Sequence, residues 1–416
     1  MAELLILADD FTGALDTGVQ FAVKGISTLV TLQWDARLLA SGISVLTVDL
    51  ETRHLSPNEA KQKVLCLTQQ AIQAGVPYFY KKTDSTLRGN VGSELAGMMQ
   101  ALNSDKLAFV PAFPKMGRTT QGGVQFCNGI ELDHTTFRLD PCDPMLTGNI
   151  PEILHKQTPI PTKLIPLGAS AESTPSTSPC IYIYDAVTDS DLHQIALSFQ
   201  HQGIPKAMAG CAGFAQELPT LLQLPQRKPS IPARSKRILT VSGSVNATTF
   251  AQLQRGIQDG LSVHLPGPEM LEDTYCESAD AQALVNELVE EVQCGLPCVL
   301  TCAACPADRA RTLWYANSHG IDEHTVPFRI AARLGQLTQM ILCESRPDTI
   351  AVFGGDTLYA IMQRLACTPL EPCDQIFPGV VRSIAYTEFG EFSLVSKAGG
   401  FGDENLLAEL YIRLTI

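Results

Sequence analysis

Long apolar runs are missing from this sequence. No stretch approaches the ~18 consecutive apolar residues of a membrane span, so no membrane partner is expected. Positive charge is also short, with 30 Lys and Arg against 43 Asp and Glu and a formal net charge of −13. Such a surface repels nucleic-acid phosphates and anionic lipid, so an anionic ligand has to be held by local basic groups. The N-terminus has no basic region before its short apolar run, and acids follow that run at once. This argues against a signal peptide and for a cytoplasmic protein. Internal repeats, heptads and charge blocks are absent. So are a Walker motif and a complete GxGxxG, which leaves P-loop and dinucleotide-binding assignments unsupported.

Cysteine is present but not organised. The 13 cysteines are odd in number and scattered, which suits reduced thiols. "CGLPCVLTCAAC" contains one CxxC pair, Cys302 with Cys305, and no second pair at zinc-site spacing follows. That stretch reads as a buried strand in which cysteine acts as a small apolar residue, and no metal site is expected.

The remaining composition is that of a loop-rich globular enzyme: 416 residues, 45% hydrophobic, 18% charged, 31 Gly and 26 Pro. The length predicts two domains. Short β-rich runs, polar turns and amphipathic stretches alternate, which predicts two α/β domains with largely parallel sheets and an active site in the interdomain cleft. Strands are expected at Glu3–Ala8, Ser44–Val48, Tyr78–Lys82, Leu107–Val110 and Cys180–Tyr184, then at Arg237–Val241, Cys298–Thr301, Ile350–Phe353 and Ser393–Ser396. "PIPTKLIPLGASAESTPSTSP" reads as a surface excursion. "LPQRKPSIPARSK" reads as the linker, giving domains 1–229 and 230–416.

Ligands bind beyond the carboxyl ends of parallel strands, so the four loops after the first strands should converge. In "ADDFTG" one of Asp9 and Asp10 suffices to cap the next helix, and the other is free to accept hydrogen bonds from a polyol. In "YKKTDSTLRGN" Lys81, Lys82 or Arg88 could pair a substrate carboxylate. Asp84 could act as general base or as the partner of Lys82. Arg53, Lys115 and Arg118 could add positive charge.

The second half repeats one theme. "SGSVNATTF", "FGGDTLYAIM" and "KAGGFGDENLL" each place small residues between a strand and a helix, where backbone N–H groups can face phosphate. Asp356 or Thr357 as an ordinary N-cap is the plain structural alternative for the middle turn. Acids and bases in one half with phosphate turns in the other suggest phosphoryl transfer from a nucleotide to an acidic polyol, with magnesium bridging the phosphates.

"ADDFTGALDTG", "KKTDSTLRGNVGSEL", "VPAFPKMGRTTQGGVQF", "LDPCDPM", "GSVNATTFAQL", "FGGDT" and "SKAGGFGDE", in this order, resemble the four-carbon acid sugar kinases. The resemblance implies a substrate-binding N-terminal domain and a nucleotide-binding C-terminal domain. It also implies ATP- and Mg2+-dependent phosphorylation of the C4 hydroxyl of a sugar acid, with D-threonate expected first and D-erythronate or another tetronate as alternatives. It implies substrate contacts from Asp9, Arg53, Lys81, Lys82, Thr83 and Asp84, and ATP contacts from Ser244, Gly354, Gly355, Asp356, Thr357 and Gly400. Asp84 is the first candidate for the catalytic base and Asp9 the second. The cysteine group and the segment 169–179 depart from the family pattern. A non-catalytic sensor of acid sugar and nucleotide is the reading from another class. A homo-oligomer is compatible with the sequence.

Overall fold

The computed structural model describes residues 2–139, 143–169, 179–229, 232–367, 369–398 and 400–415, and divides into two units, Met1–Pro229 and Ser230–Ile416. In the first unit the strands are β1 (Leu4–Ala8), β2 (Thr28–Thr31), β3 (Val45–Asp49), β4 (Tyr78–Lys82), β5 (Lys106–Val110), β6 (Arg118–Gln121), β7 (Val124–Cys127), β8 (Ile130–Glu131), β9 (Thr162–Ile165), β10 (Cys180–Tyr184) and β11 (Ala207–Gly210). Eight of them lie in the order β2-β3-β1-β4-β11-β5-β10-β9, every neighbouring pair parallel. β6, β7 and β8 form a separate antiparallel sheet.

β1 is apolar at all five positions and wholly buried. A strand covered on both faces needs no polar alternation, which is why this run is continuous. Helices Pro57–Gln73 and Val91–Leu102 cover one face, where Leu5, Leu7, Phe79 and Leu95 share a core. On the other face Leu4, Ile6 and Tyr80 share a core with Phe21 of helix Phe11–Ala22 and Phe199 of helix Asp189–Gln202.

The second unit contains β12 (Ile238–Ser242), β13 (Ser262–His264), β14 (Cys298–Thr301), β15 (Thr349–Phe353), β16 (Leu370–Phe377), β17 (Val380–Thr387) and β18 (Gly390–Lys397). Their order is β13-β14-β12-β15-β18-β17-β16; the first five are parallel, and the β18–β17 and β17–β16 pairings are antiparallel. Both units therefore wind alike. The first strand is followed by two on one side and then by a fourth on the other, β4 beside β1 and β15 beside β12. Reversal of direction opens a crevice at the carboxyl ends of those two strands, the usual ligand position in such sheets.

Three sequence expectations are corrected. The proline-rich excursion contributes an edge strand, β9, paired in parallel with β10; its residues 170–178 lie outside the described residues. The loop after β5 folds back as the hairpin β6–β7. The second unit also contains the antiparallel β16–β17 pair, in a region where no strand was expected.

Candidate active site

Register brings the first group of residues together. Ala8 at the end of β1 lies opposite Asp49 of β3 and Lys82 of β4, so the three following loops emerge side by side. Asp10 is the helix cap: its side chain accepts from the Gly13 amide at 3.0 Å and from the Thr12 hydroxyl at 2.7 Å. Asp9 is thereby left for other work.

Arg53 joins the two acids. Its Nε and Nη2 each lie 2.8 Å from Asp9 Oδ2, its Nη1 donates to Asp10 Oδ2 at 3.0 Å, and Nη2 lies 2.8 Å from Asp10 Oδ1. Asp84 Oδ1 is 3.9 Å from the same nitrogen. The loop carrying Arg53 is fastened from behind by Asn90, whose Nδ2 donates to the carbonyls of Thr52 at 2.9 Å and Leu55 at 2.7 Å. Gly89, at φ +81°, lies so close that a Cβ there would sit 3.0 Å from Arg53 Cγ. A side chain at this glycine would meet both backbone strain and the arginine stem.

Lys81 and Lys82 leave opposite faces of β4, as consecutive strand residues must. Lys81 is buried against Glu94 of helix Val91–Leu102, with Nζ 3.1 Å from Oε2, and Glu94 also accepts from the Thr52 hydroxyl. Its ammonium is a strut inside the sheet–helix layer rather than a group facing the Asp9 cluster. Lys82 lies beside Gly13, where an added Cβ would come within 2.8 Å of Nζ. Its ammonium donates to the Thr83 carbonyl at 2.8 Å, and among the described residues no carboxylate lies within 4.0 Å of it. Burial pulls Lys82 down, but Asp9, Asp10, Asp16 and Asp84 outweigh it, so the ammonium is held charged.

Asp84 is engaged elsewhere. Arg88 grips it through Nε at 2.7 Å and Nη2 at 3.2 Å, and Thr86 donates to it as well. Burial alone would raise its pKa; Arg88 and Arg53 reverse this and hold the carboxyl well below the usual carboxylate range. A carboxylate so stabilised is a weak proton acceptor, which counts against Asp84 as base, and its partner is Arg88 rather than Lys82. Asp9 differs: its Oδ1 is buried and has no hydrogen-bond partner among the described residues, and the same is true of the hydroxyl of the neighbouring Thr83. Unpaired buried acceptors are costly, and a ligand hydroxyl would satisfy this one. Asp16, one turn along the helix, is pushed up to about 6 by burial, with Lys82 opposing.

Lys115 and Arg118 do not join the cluster. Lys115 contacts Gln216 and Asp189, and Arg118 turns to the Met116 carbonyl. The reason is β11, which stands between β4 and β5 and displaces their loop by a further ~4.8 Å strand spacing. "AMAG" is all small residues apart from Met208 and gives no strand signal, so its insertion was not foreseen.

In the second unit the three turns do converge, because β12, β15 and β18 are neighbours with Ser242, Phe353 and Lys397 in register at their ends. Gly354 takes φ 114° and caps helix Gly355–Arg364 without any side-chain cap bond, so the alternative of Asp356 or Thr357 as N-cap is not realised. The first helical amides thus face outward, as an anion requires. Gly243 is wedged against Thr357, where a Cβ would lie 2.0 Å from the hydroxyl, and Gly354 lies against the Ser244 amide. Ser244 bonds Thr249 at 2.9 Å, oxygen to oxygen, and Gln252 fastens the third turn through the carbonyls of Phe401 at 3.0 Å and Asp403 at 2.9 Å. Gly400 flanks Asn246; Gly399 lies outside the described residues. The residues would fit a polyphosphate: glycines that leave room for close approach, hydroxyls and uncapped amides, and Ser242 with a buried hydroxyl lacking a partner among the described residues.

Among the described residues one trio, Glu131, Asp133 and His134 around β8, brings three metal-capable atoms within 4.8 Å, and none of the candidate site residues belongs to it. No helix of the described residues is long and apolar enough to cross a membrane. Cys298, Cys302 and Cys305 are free thiols; burial pushes Cys298 and Cys302 up to about 12, as core packing requires.

Comparison with known proteins now adds to this geometry. The family model described as a sugar-binding N-terminal domain matches residues 4–218, and the nucleotide-binding C-terminal domain matches residues 239–407. A D-threonate kinase of Salmonella typhimurium is 28% identical over 98% of this chain and 97% of its own length. A D-erythronate kinase of Heliobacterium modesticaldum is 28% identical over 97% and 95%, and a 3-oxo-tetronate kinase of Haemophilus influenzae is 24% identical over 96% and 97%. A solved structure from Salmonella typhimurium LT2 shares the fold, with a TM-score of 0.82 at 21% identity and complete coverage of both chains. A sugar-binding model over more than half the chain, a nucleotide-binding model over most of the rest and full-length similarity to sugar-acid kinases lead to one assignment: the chain belongs to the four-carbon acid sugar kinase family.

Proposed function

We propose that this chain transfers the terminal phosphoryl group of ATP to the C4 hydroxyl of a four-carbon sugar acid, D-threonate being the first substrate to test. The sugar acid is held by the Met1–Pro229 unit and the nucleotide by the Ser230–Ile416 unit. The observation that carries the reading is the presence in one site of Asp9 Oδ1, a buried acceptor without a partner among the described residues, and the Lys82 ammonium, which has no carboxylate of the described residues within 4.0 Å. A sugar acid offers a hydroxyl to the first and a carboxylate to the second.

In this reading Asp9 accepts the hydroxyl proton, and Arg53 orients Asp9 and Asp10 by holding their other oxygens. Thr83 bonds a second hydroxyl. Asp84 positions Arg53 and Arg88. Ser244, Gly354, Gly355, Asp356, Thr357 and Gly400 hold ATP, whose transferable phosphoryl group supplies the chemistry, with Mg2+ accompanying the phosphates. Transfer requires hydroxyl and terminal phosphorus to meet in line, roughly 3 to 3.5 Å apart. ATP as donor makes the cytoplasm the place of reaction.

The test is incubation with MgATP and, separately, D-threonate, D-erythronate and 3-oxo-tetronate, following ADP and the phosphorus NMR signal of a new phosphomonoester. Sugar-acid-dependent ADP with one phosphorylated terminal carbon is expected. Binding of both ligands with no ADP above the blank would leave a sensor instead.

A further inference from the structure

Lys397 stands at the strand end that leads into the third glycine turn, in register with Phe353. It ends β18 and is 1% exposed. Its carbonyl accepts from the Gly354 amide at 3.0 Å, which ties its backbone to the uncapped helix start. Its ammonium lies 3.4 Å from Thr249 Oγ1 and 4.7 Å from the centre of the Phe353 ring. Thr249 in turn bonds Ser244, so lysine, threonine and serine form one buried polar line running to the first turn.

From this placement we infer that Lys397 is a nucleotide-binding residue, its ammonium pairing with the phosphate chain seated on the turns at Ser244, Gly354 and Gly400. The inference rests on the nucleotide reading above and adds to it the fixed cation of the site. Backbone amides and a helix start supply only partial charges, and a triphosphate gains most from one full positive charge in a water-poor setting.

The charged groups on the surrounding elements do not provide that charge. Asp356 on helix Gly355–Arg364, and Asp403 and Glu404 after β18, are exposed acids. Arg255 on helix Ala247–Gln258 pairs with Asp259 at its far end, and Arg382 on β17 pairs with Asp374. Burial lowers the Lys397 pKa to about 8. Phosphate placed against it favours the protonated form and returns the value upward.

Nucleotide binding should therefore take up a proton where the free protein has lost it, about one per nucleotide at pH 9 and almost none at pH 7. Calorimetric titration of the full chain with MgATP, sugar acid withheld, in buffers of different ionisation enthalpy reads this number directly. The comparison of pH 7 with pH 9 in the wild type needs no variant. K397M should lose the uptake and bind MgATP roughly tenfold or more weakly, as expected for loss of a charge-assisted contact. K397R should keep affinity without uptake, because guanidinium stays protonated throughout. An equal proton count at pH 7 and pH 9, or unchanged MgATP affinity in a folded K397M, would overturn the inference alone. Absence of MgATP binding by the wild type would overturn the nucleotide assignment itself and the inference with it.

Discussion

The two units wind their first four parallel strands in the same order, and each opens its crevice between the first strand and the fourth. The chemistry placed there is opposite. Beyond β1 and β4 stand Asp9, Asp10, Arg53, Lys82, Asp84 and Arg88, full charges on side chains held in a buried network. Beyond β12 and β15 stand Gly243, Ser244 and Gly354, where backbone and hydroxyl groups predominate and Lys397 is buried beside Thr249. A small ligand with a carboxylate and several hydroxyls calls for directional, full-charge partners. A phosphate chain is satisfied by converging N–H groups that approach closely only where side chains are missing. One winding thus serves two kinds of recognition, decided by the loops.

The comparison can be broken most severely at the proposed base. D9N should lower kcat by roughly 10²- to 10⁴-fold with little change in MgATP affinity. D84N should act mainly on sugar-acid KM, since Asp84 holds Arg53 and Arg88 rather than a proton. Steady-state kinetics of the pair decides between them, and a D84N enzyme more crippled in kcat than D9N would reverse the assignment.

Lys81 sharpens the contrast between two adjacent lysines. K81M strands Glu94 in a buried layer and should destabilise the chain by about 3–5 kcal/mol. K82M should leave stability nearer the wild type but raise sugar-acid KM roughly tenfold to a hundredfold. Urea unfolding read beside the kinetics separates strut from ligand contact.

G354A addresses the other unit. Its φ of 114° strains any L-residue, at a cost of about 1–3 kcal/mol, and the effect should fall on MgATP KM and not on sugar-acid binding. The smallest effect is in acid. Asp84 has a folded pKa held below its unfolded value, so its contribution to stability is present above the ordinary carboxylate pKa near 3.8 and is lost as pH falls below it. D84N should show a shallower loss of stability between pH 4 and pH 2 in urea titrations.

Much of the framework was legible in the sequence. β4, β10 and β14 coincide with the expected Tyr78–Lys82, Cys180–Tyr184 and Cys298–Thr301, and several other strands differ by one residue, because strands buried on both faces announce themselves as apolar runs. Several of the unforeseen strands lack that mark, although β2 and β17 are rich in β-branched residues and were unforeseen as well. β11 is small-residue sequence, β9 sits in proline-rich sequence, and β16 carries Pro372 and Asp374 in an antiparallel edge pair. In the site, the double acid was legible as one cap and one acceptor, but which was which depended on where helix Phe11–Ala22 begins. The Arg53 fork onto Asp9 and Asp10 joins residues from different loops, and only register and sheet order decide such a contact.

The central claim is that each unit owns one ligand. Amide hydrogen exchange of the full chain, with D-threonate alone and with MgATP alone, tests it most directly. D-Threonate should protect residues 9–13, 51–55 and 83–88, and MgATP should protect 243–249, 354–358 and 397–403. Protection of the same unit by both ligands would contradict the account.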